Sequence, residues 1–375
     1  MAGMTSGEPI RSGDDGLERP TLKTIAAATG LAVATVSRAL KDAPDIGEET
    51  KRRVREMAER LGYRPNRAGV RLRTGKTNVI ALVLSTEADM MNHTSRLIYS
   101  IANGLRGTAY HLVVMPFFPD QDPMEPIRYI VETGSADGVI LNQTRADDPR
   151  VRYMAERHFP FATHGRTDMG LEHPFFDFDN EAYARVGVRA LAQRGRRRLL
   201  LVAPPLAHNY AQHMVTGFRD EAARLGLAAE VMAEVTSDSG AGATEAALMR
   251  RFARPPVPDG MILGSTTAAM GAVSAAELSG LKLGRDIDVV AKEAIRFLKR
   301  FRREMIVVQE DVGRAGDFLA RAVMAAIEGR APEQGQELEV PAEVDIEDSD
   351  RGAVPEGRTH EDDQGPGPVS GAVRG

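Results

Sequence analysis

From Asn78 to about Val290 the chain repeats one texture, in which a short continuous apolar run alternates with a longer helical stretch. Runs such as 79–84 and 199–203 carry no alternating polar face, and they fall far short of the ~20 apolar residues a membrane helix needs. Buried strands separated by helices specify parallel sheets covered on both sides, the α/β doubly wound class. Strands are expected at residues 78–85, 111–117, 138–141 and 161–164. A strand at 174–178 is expected to open a second series, continued at 198–203, 228–235, 260–264 and 286–290. Two such series suggest two similar lobes, and 375 residues are enough for two or three domains at about 100–200 residues each.

Ahead of this region the pattern is all-helical. Thr21 is placed to cap a helix with Leu22, Ile25, Ala26 and Thr29 on one face, and Gly30 is its left-handed stop. A second helix over 33–41 puts Val33, Val36 and Leu40 on its inner face. After a loop at 42–47, a third helix over 48–61 carries Glu48 and Glu49 at its positive end and an inner stripe of Val54, Met57, Ala58 and Leu61. The short Gly30 turn between the first two helices has helix-turn-helix spacing. Any helical pair can show a glycine turn and apolar stripes, so charge decides between packing and DNA reading. Residues 20–76 hold thirteen Lys/Arg against six Asp/Glu, whereas the whole chain is at −5. A basic block inside an acidic chain points to a polyanion partner for that block alone. Ala34, Thr35 and Arg38 then face outward, where an arginine can bond a guanine edge or a phosphate. Val33 lies on the buried side by periodicity, yet as the first helical residue it is close enough to meet a thymine methyl. With Ser37 these residues are the candidate DNA-reading set.

These helices also carry a resemblance. Residues 21–40 (TLKTIAAATGLAVATVSRAL), 50–55 (TKRRVR) and 61–68 (LGYRPNRA) are closely similar to the LacI/GalR family of transcriptional regulators, and the likeness extends more loosely to about residue 341. The resemblance implies an N-terminal all-α helix-turn-helix headpiece joined to a two-lobed, periplasmic-binding-protein-like domain that holds a small effector, usually a sugar or nucleobase, between its lobes. It also implies a hinge helix matching 66–74 that folds on DNA, with Asn66 at its start and Leu72 as the leucine wedged into the minor groove. The implied effector-binding positions are Ser85, Arg166, Asp179, Tyr210, Gln212, Met214, Ser265 and Glu293. Several depart from the family's usual residues. Its Asn-Asp after a strand is Ser265-Thr266 here, its Gly-Tyr-Asp is Ala291-Lys292-Glu293, and the arginine three residues before Gly217-Phe218 is Met214. Glu293 can still accept sugar hydroxyls, Gln212 or His213 can replace the lost donor, and Arg166 and Glu293 are placed to approach a ligand from opposite sides. Tyr210, Phe176 and Phe178 are the candidate stacking rings.

The resulting layout is a disordered leader at 1–19, a DNA-binding domain at 20–64, a hinge at 65–76, an effector-binding and dimerisation domain at 77–341 and a disordered acidic tail at 342–375, where nine acids face three bases. No catalytic residue, cofactor or metal is called for. Thr74-Gly-Lys-Thr77 lacks the spacing of a phosphate loop, no Gly-x-Ser-x-Gly occurs, and the histidines are scattered. With no cysteine and no secretory pattern at the start, a cytoplasmic setting is expected. The functional expectation is a homodimeric regulator, a repressor of sugar uptake or catabolism genes, that binds palindromic duplex DNA and a sugar-like effector, with no membrane partner. The alternative is a cytoplasmic sugar-binding or sugar-processing protein whose N-terminal helices only pack or dimerise.

Overall fold

A computed structural model describes residues 20–63, 75–86, 91–118, 120–331 and 335–343. The expected leader, the hinge as far as residue 74 with Asn66 and Leu72, and the tail beyond Glu343 lie outside the described residues. The chain divides into two compact units, Met1–Thr77 and Asn78–Gly375.

The first unit holds α1 (Leu22–Thr29), α2 (Val33–Ala39) and α3 (Glu48–Arg60). Thr21 and Thr24 cap α1 reciprocally: the Thr24 amide donates to Thr21 Oγ1 at 3.3 Å, and the Thr21 amide donates to Thr24 Oγ1 at 3.1 Å. Gly30 ends the helix at φ 70°, a conformation that costs glycine nothing. Ile25, Val36, Ala39 and Val54 are fully buried and form the core of the three helices. Arg53 donates to the Thr29 carbonyl at 2.6 Å, so α3 holds the end of α1 as it enters the turn. Two positions differ from the periodic reading. Lys51, outside the expected inner stripe, is buried, with its Nζ 2.7 Å from Glu48 and 3.1 Å from Asp42. Val33, expected on the inner side, is 41% exposed, because the first turn of α2 projects beyond the partners that cover Val36.

The second unit contains two parallel sheets. The first comprises β1 (Val79–Ser85), β2 (His111–Phe117), β3 (Gly138–Asn142), β4 (Phe161–His164), β5 (Phe175–Phe178) and β11 (Gln336–Glu339), in the order β11-β5-β4-β3-β1-β2. Around it lie α4 (Met91–Gly104), α5 (Met124–Thr133), α6 (Pro149–Glu156) and α12 (Val312–Ile327). The second comprises β6 (Arg198–Val202), β7 (Ala228–Val231), β8 (Gly260–Leu263), β9 (Asp288–Glu293) and β10 (Ile306–Gln309), in the order β10-β9-β8-β6-β7. Its helices are α7 (Asn180–Gln193), α8 (Asn209–Arg224), α9 (Ala241–Phe252), α10 (Thr266–Leu278) and the short α11 (Leu298–Phe301).

The continuous apolar runs have a direct structural cause. Successive strand side chains point to opposite faces, and both faces are covered. In β1, Ile80 and Leu82 pack with Leu97 and Ile101 of α4 and Phe318 of α12, whereas Ala81 and Val83 pack with Ile127 of α5 and Met154 of α6. In β6, Leu199 and Leu201 join α7 and α8, whereas Leu200 and Val202 join α9 and α10. The helices approach closely where glycine allows it. A Cβ on Gly217 of α8 would stand 2.2 Å from the Glu181 carbonyl oxygen of α7.

Lobe membership differs from the sequence reading. The strand expected to open the second series is β5, which pairs with β4 and β11 in the first sheet. The chain changes lobe only at Phe178–Asn180. It returns after β10 at Gln309–Val312, where α12 packs back on the first lobe and β11 adds the outer strand. None of β10, α12 and β11 figured in the expected series. Among the described residues no helix is long and apolar enough to cross a membrane.

Candidate functional site

Helix α2 presents the residues singled out for DNA reading. Val33, Ala34 and Arg38 are exposed, and Thr35 and Ser37 are partly covered. Arg38 pairs with Asp45 of the loop that precedes α3, and both side chains are about half exposed. Such a surface pair is worth only ~0–1 kcal/mol, so an approaching phosphate or guanine can take the guanidinium from Asp45 at little cost.

In the second unit a cleft of about 130 Å³ opens at the carboxyl ends of strands from both sheets, the place where parallel α/β sheets bind ligands. The first lobe contributes Asn142 and Gln143 at the end of β3, His164 and Gly165 at the end of β4, and Asp177 and Phe178 at the end of β5. The second contributes Ser265 and Thr266 after β8 and Lys292 and Glu293 at the end of β9. The return crossover supplies Glu310.

The charges in the cleft are linked. Lys292 Nζ lies 2.9 Å from Glu310 Oε2 and donates to Asn180 Oδ1 at 3.0 Å. The other oxygen of Glu310 lies 3.1 Å from His93 Nε2, and the His93 and His164 rings are 5.1 Å apart. Burial opposes ionisation of Glu310, but Lys292 and then His93 hold its carboxyl well below the usual range. Burial, with the neighbouring His93 second, pushes the His164 imidazole down to about 3. Burial also pushes Asp177 up to about 7, against the pull of Arg166, whose Nη1 is 3.3 Å away. Two buried polar atoms of lining residues, Asn142 Oδ1 and Thr94 Oγ1, have no hydrogen-bond partner among the described residues.

The structure sorts the sequence candidates for the cleft. Tyr210, Ser265 and Glu293 line it. Ser265 also caps α10, accepting from the Ala268 amide at 3.1 Å while donating to the Ser237 carbonyl at 2.9 Å. Glu293 is committed elsewhere, contrary to its expected role as a hydroxyl acceptor. Its Oε2 accepts from the amides of Phe297 and Leu298 at 2.8 and 2.6 Å, and its Oε1 accepts from Gln309 at 2.7 Å. Arg166 is not on the lining and does not face Glu293 across the cleft. It buttresses Asp177, and its Nη2 is 3.3 Å from His213 Nδ1. Asp179 caps α7 by accepting from the Ala182 amide at 2.9 Å, and Ser85 is buried at the end of β1, off the lining. Gln212 is exposed and donates to the Leu206 carbonyl at 3.2 Å. Met214 is a correction. It is fully buried among Phe218, Leu199 and Leu201, because an apolar side chain at that point of α8 turns into the core. Of the candidate rings, Tyr210 and Phe178 line the cleft, whereas Phe176 packs in the first lobe's core. His93, Asn142, His164, Asp177, Lys292 and Glu310 were missed. Apart from His93, each stands at or just past the carboxyl end of a strand, the one signal that could have found them.

A basic helix-turn-helix fused to a two-lobed α/β domain with a polar cleft defines a ligand-binding DNA-binding regulator. The comparisons place it within that class. Residues 21–66 match the bacterial regulatory proteins of the lacI family, and residues 79–337 match the periplasmic binding proteins and sugar binding domain of LacI family. The chain belongs to the LacI family and is a DNA-binding transcriptional regulator with a sugar-binding domain. It is 31% identical over 325 residues to the HTH-type transcriptional regulator AglR of Rhizobium meliloti, covering 84% of this chain and 90% of that one. It is 29% identical over 320 residues to RafR of Escherichia coli, covering 84% and 94%. Among solved structures, the lac repressor dimer bound to operator and an anti-inducer aligns with a TM-score of 0.77 at 22% identity, over 88% of this chain and 98% of that one. A complex of the transcriptional regulator CelR with cellobiose aligns at 0.63 and 22% identity, over 88% and 99%. At these identities the structural matches speak to the fold.

Proposed function

We propose that this regulator is a cytoplasmic repressor of sugar uptake or catabolism genes, that it binds a pseudo-palindromic operator as a homodimer, and that a neutral sugar-like molecule in the cleft controls the binding. The observation that carries the effector reading is the lining itself. Asp238, Glu293 and Glu310, with Asp177 partly neutralised by burial, face a single lysine there, a balance that disfavours anionic ligands. Asn142 Oδ1 and Thr94 Oγ1, on lining residues, are buried hydrogen-bonding atoms without a partner among the described residues, and hydroxyls of a sugar would satisfy them. The cellobiose bound by the structurally similar CelR supports the same ligand class. On the DNA side, Val33, Ala34, Thr35, Ser37 and Arg38 read the major groove, and Asn66 and Leu72 act at the minor groove. Two-fold operators match two-fold proteins, which makes the homodimer the reading unit. The test is a thermal-shift screen of neutral mono- and disaccharides, followed by operator titration with any hit. A ligand at 100 times its Kd stabilises by ~2.7 kcal/mol and raises the melting temperature visibly. A hit that also changes operator affinity supports the reading. A protein stabilised only by anionic metabolites, or one without affinity for duplex DNA, overturns it.

A further inference from the structure

His93 of α4, His164 at the end of β4 and Glu310 after β10 come from three separate segments, with His93 and Glu310 217 residues apart in the chain. Their donor atoms all lie within 4.8 Å of one another, and all three residues line the cleft. We propose that these two imidazoles and one carboxylate form a binding site for a first-row divalent cation such as Zn²⁺ or Co²⁺.

The donor set suits such an ion. Two imidazole nitrogens and one carboxylate oxygen favour zinc, cobalt, nickel or iron over magnesium and calcium, which take oxygen ligands. The separation already present fits as well. His93 Nε2 and Glu310 Oε1 are 3.1 Å apart. Two donors at about 2.0–2.2 Å from one ion stand roughly that far from each other. The His164 donor lies within 4.8 Å of both.

Lys292 looks like an obstacle, and its geometry answers the objection. Its ammonium binds Oε2 of Glu310, so Oε1 remains on the histidine side. A partner on the far oxygen orients a ligating carboxylate in the way outer partners do in metal sites. The ammonium's repulsion of an incoming cation is opposed by the cleft's other carboxylates, Asp238 and Glu293. With three protein ligands the ion keeps open positions on the cleft side. Resting on the sugar reading above, we assign those positions to hydroxyls of the effector, which makes effector affinity dependent on the metal.

Metal uptake is measured on the full-length protein with Co²⁺ alone, by equilibrium dialysis and visible absorption, in the absence of sugar and DNA. One Co²⁺ per chain, with binding weakened tenfold or more in His93→Ala and in Glu310→Gln but unchanged in His111→Ala, supports the site. The His93 side chain is one-third exposed, so its removal leaves the core filled, and a melting curve checks each variant. No stoichiometric uptake, or uptake indifferent to His93→Ala, overturns the proposal. The bridging role is read separately, by titrating the sugar hit with Zn²⁺ and with a chelator. Equal sugar affinity in both overturns the bridge while leaving the sugar reading intact. A loss of tenfold or more in chelator supports it. Absence of any sugar hit defeats the sugar reading and leaves the Co²⁺ result standing.

Discussion

Arg38 shows how a single side chain can be committed in the free protein and still be available to a partner. Its bond to Asp45 is exposed and weak, whereas a bidentate contact to guanine discriminates by ~1–3 kcal/mol. Arg38→Ala is therefore expected to lower specific operator affinity by roughly 5- to 150-fold with the melting temperature unchanged. Fluorescence anisotropy against operator and scrambled duplexes checks this, and equal affinity for the two in the wild type would remove Arg38 from base reading. His208 carries the opposite kind of commitment. Burial, then the charges of Arg150 and Arg145, push its imidazole down to about 4, and its ring stacks on Tyr210 of the cleft at 5.4 Å. A base depressed in the folded state contributes stability that is present above its unfolded value near 6.5 and is lost as pH falls toward 4. Between those limits the protein should lose on the order of 2 kcal/mol through this one group, discounted for partial exposure. Urea midpoints at pH 7 and 4.5 measure it, and His208→Phe, which keeps a ring against Tyr210, should lessen the loss.

At the scale of elements, the closest approaches fix what can change. Gly217→Ala drives a methyl into the backbone of Glu181, which has no rotamer to give, so α7 and α8 must separate. The expected cost is ~1–3 kcal/mol or more in urea unfolding. Gly242→Ala in α9 meets nothing within 4 Å and should instead stabilise by about 0.5 kcal/mol. The same scale shows what was legible beforehand. Helix α1 was readable because a capping residue, a left-handed glycine and a 3.6-residue stripe all agreed within a few neighbours, and α2 and α3 were readable from their stripes. Strands β1, β3, β4 and β6 were readable because two covered faces demand unbroken apolar runs, and the edge strand β2 was readable from its apolar run although its faces are largely uncovered. The partner of β5 was not, since a strand's own side chains carry no record of which sheet it joins. The exposed, acidic β11 carries no apolar run at all. In the cleft, residue type misled wherever a polar group served structure. Glu293 and Asp179 are acids at strand ends, as expected of effector contacts, yet backbone amides bind both. His93, His164 and Glu310 escaped notice because their proximity is a product of the two crossovers, which local periodicity does not encode.

For the molecule as a whole, the contrast between a basic headpiece segment and an acidic remainder makes association with duplex DNA depend on counterions. With about six phosphate contacts, affinity for non-specific duplex is expected to fall ~10³-fold between roughly 50 and 200 mM salt. A flat salt response would place the binding energy elsewhere than in residues 20–76. The path of the chain through the two lobes has a further outcome, in the order of their making. The first lobe's core is closed by Phe318 and Leu319 of α12. Those residues leave the ribosome only after the whole second sheet has been made. The second lobe, begun later, can therefore finish earlier, while β1 to β5 wait with one apolar face covered only in part, by α4. Pulse proteolysis of stalled nascent chains should find residues 180–309 protected before residues 79–178. A message broken just short of codon 312 would yield a chain with one completed half and one adhesive half, a natural client for chaperones.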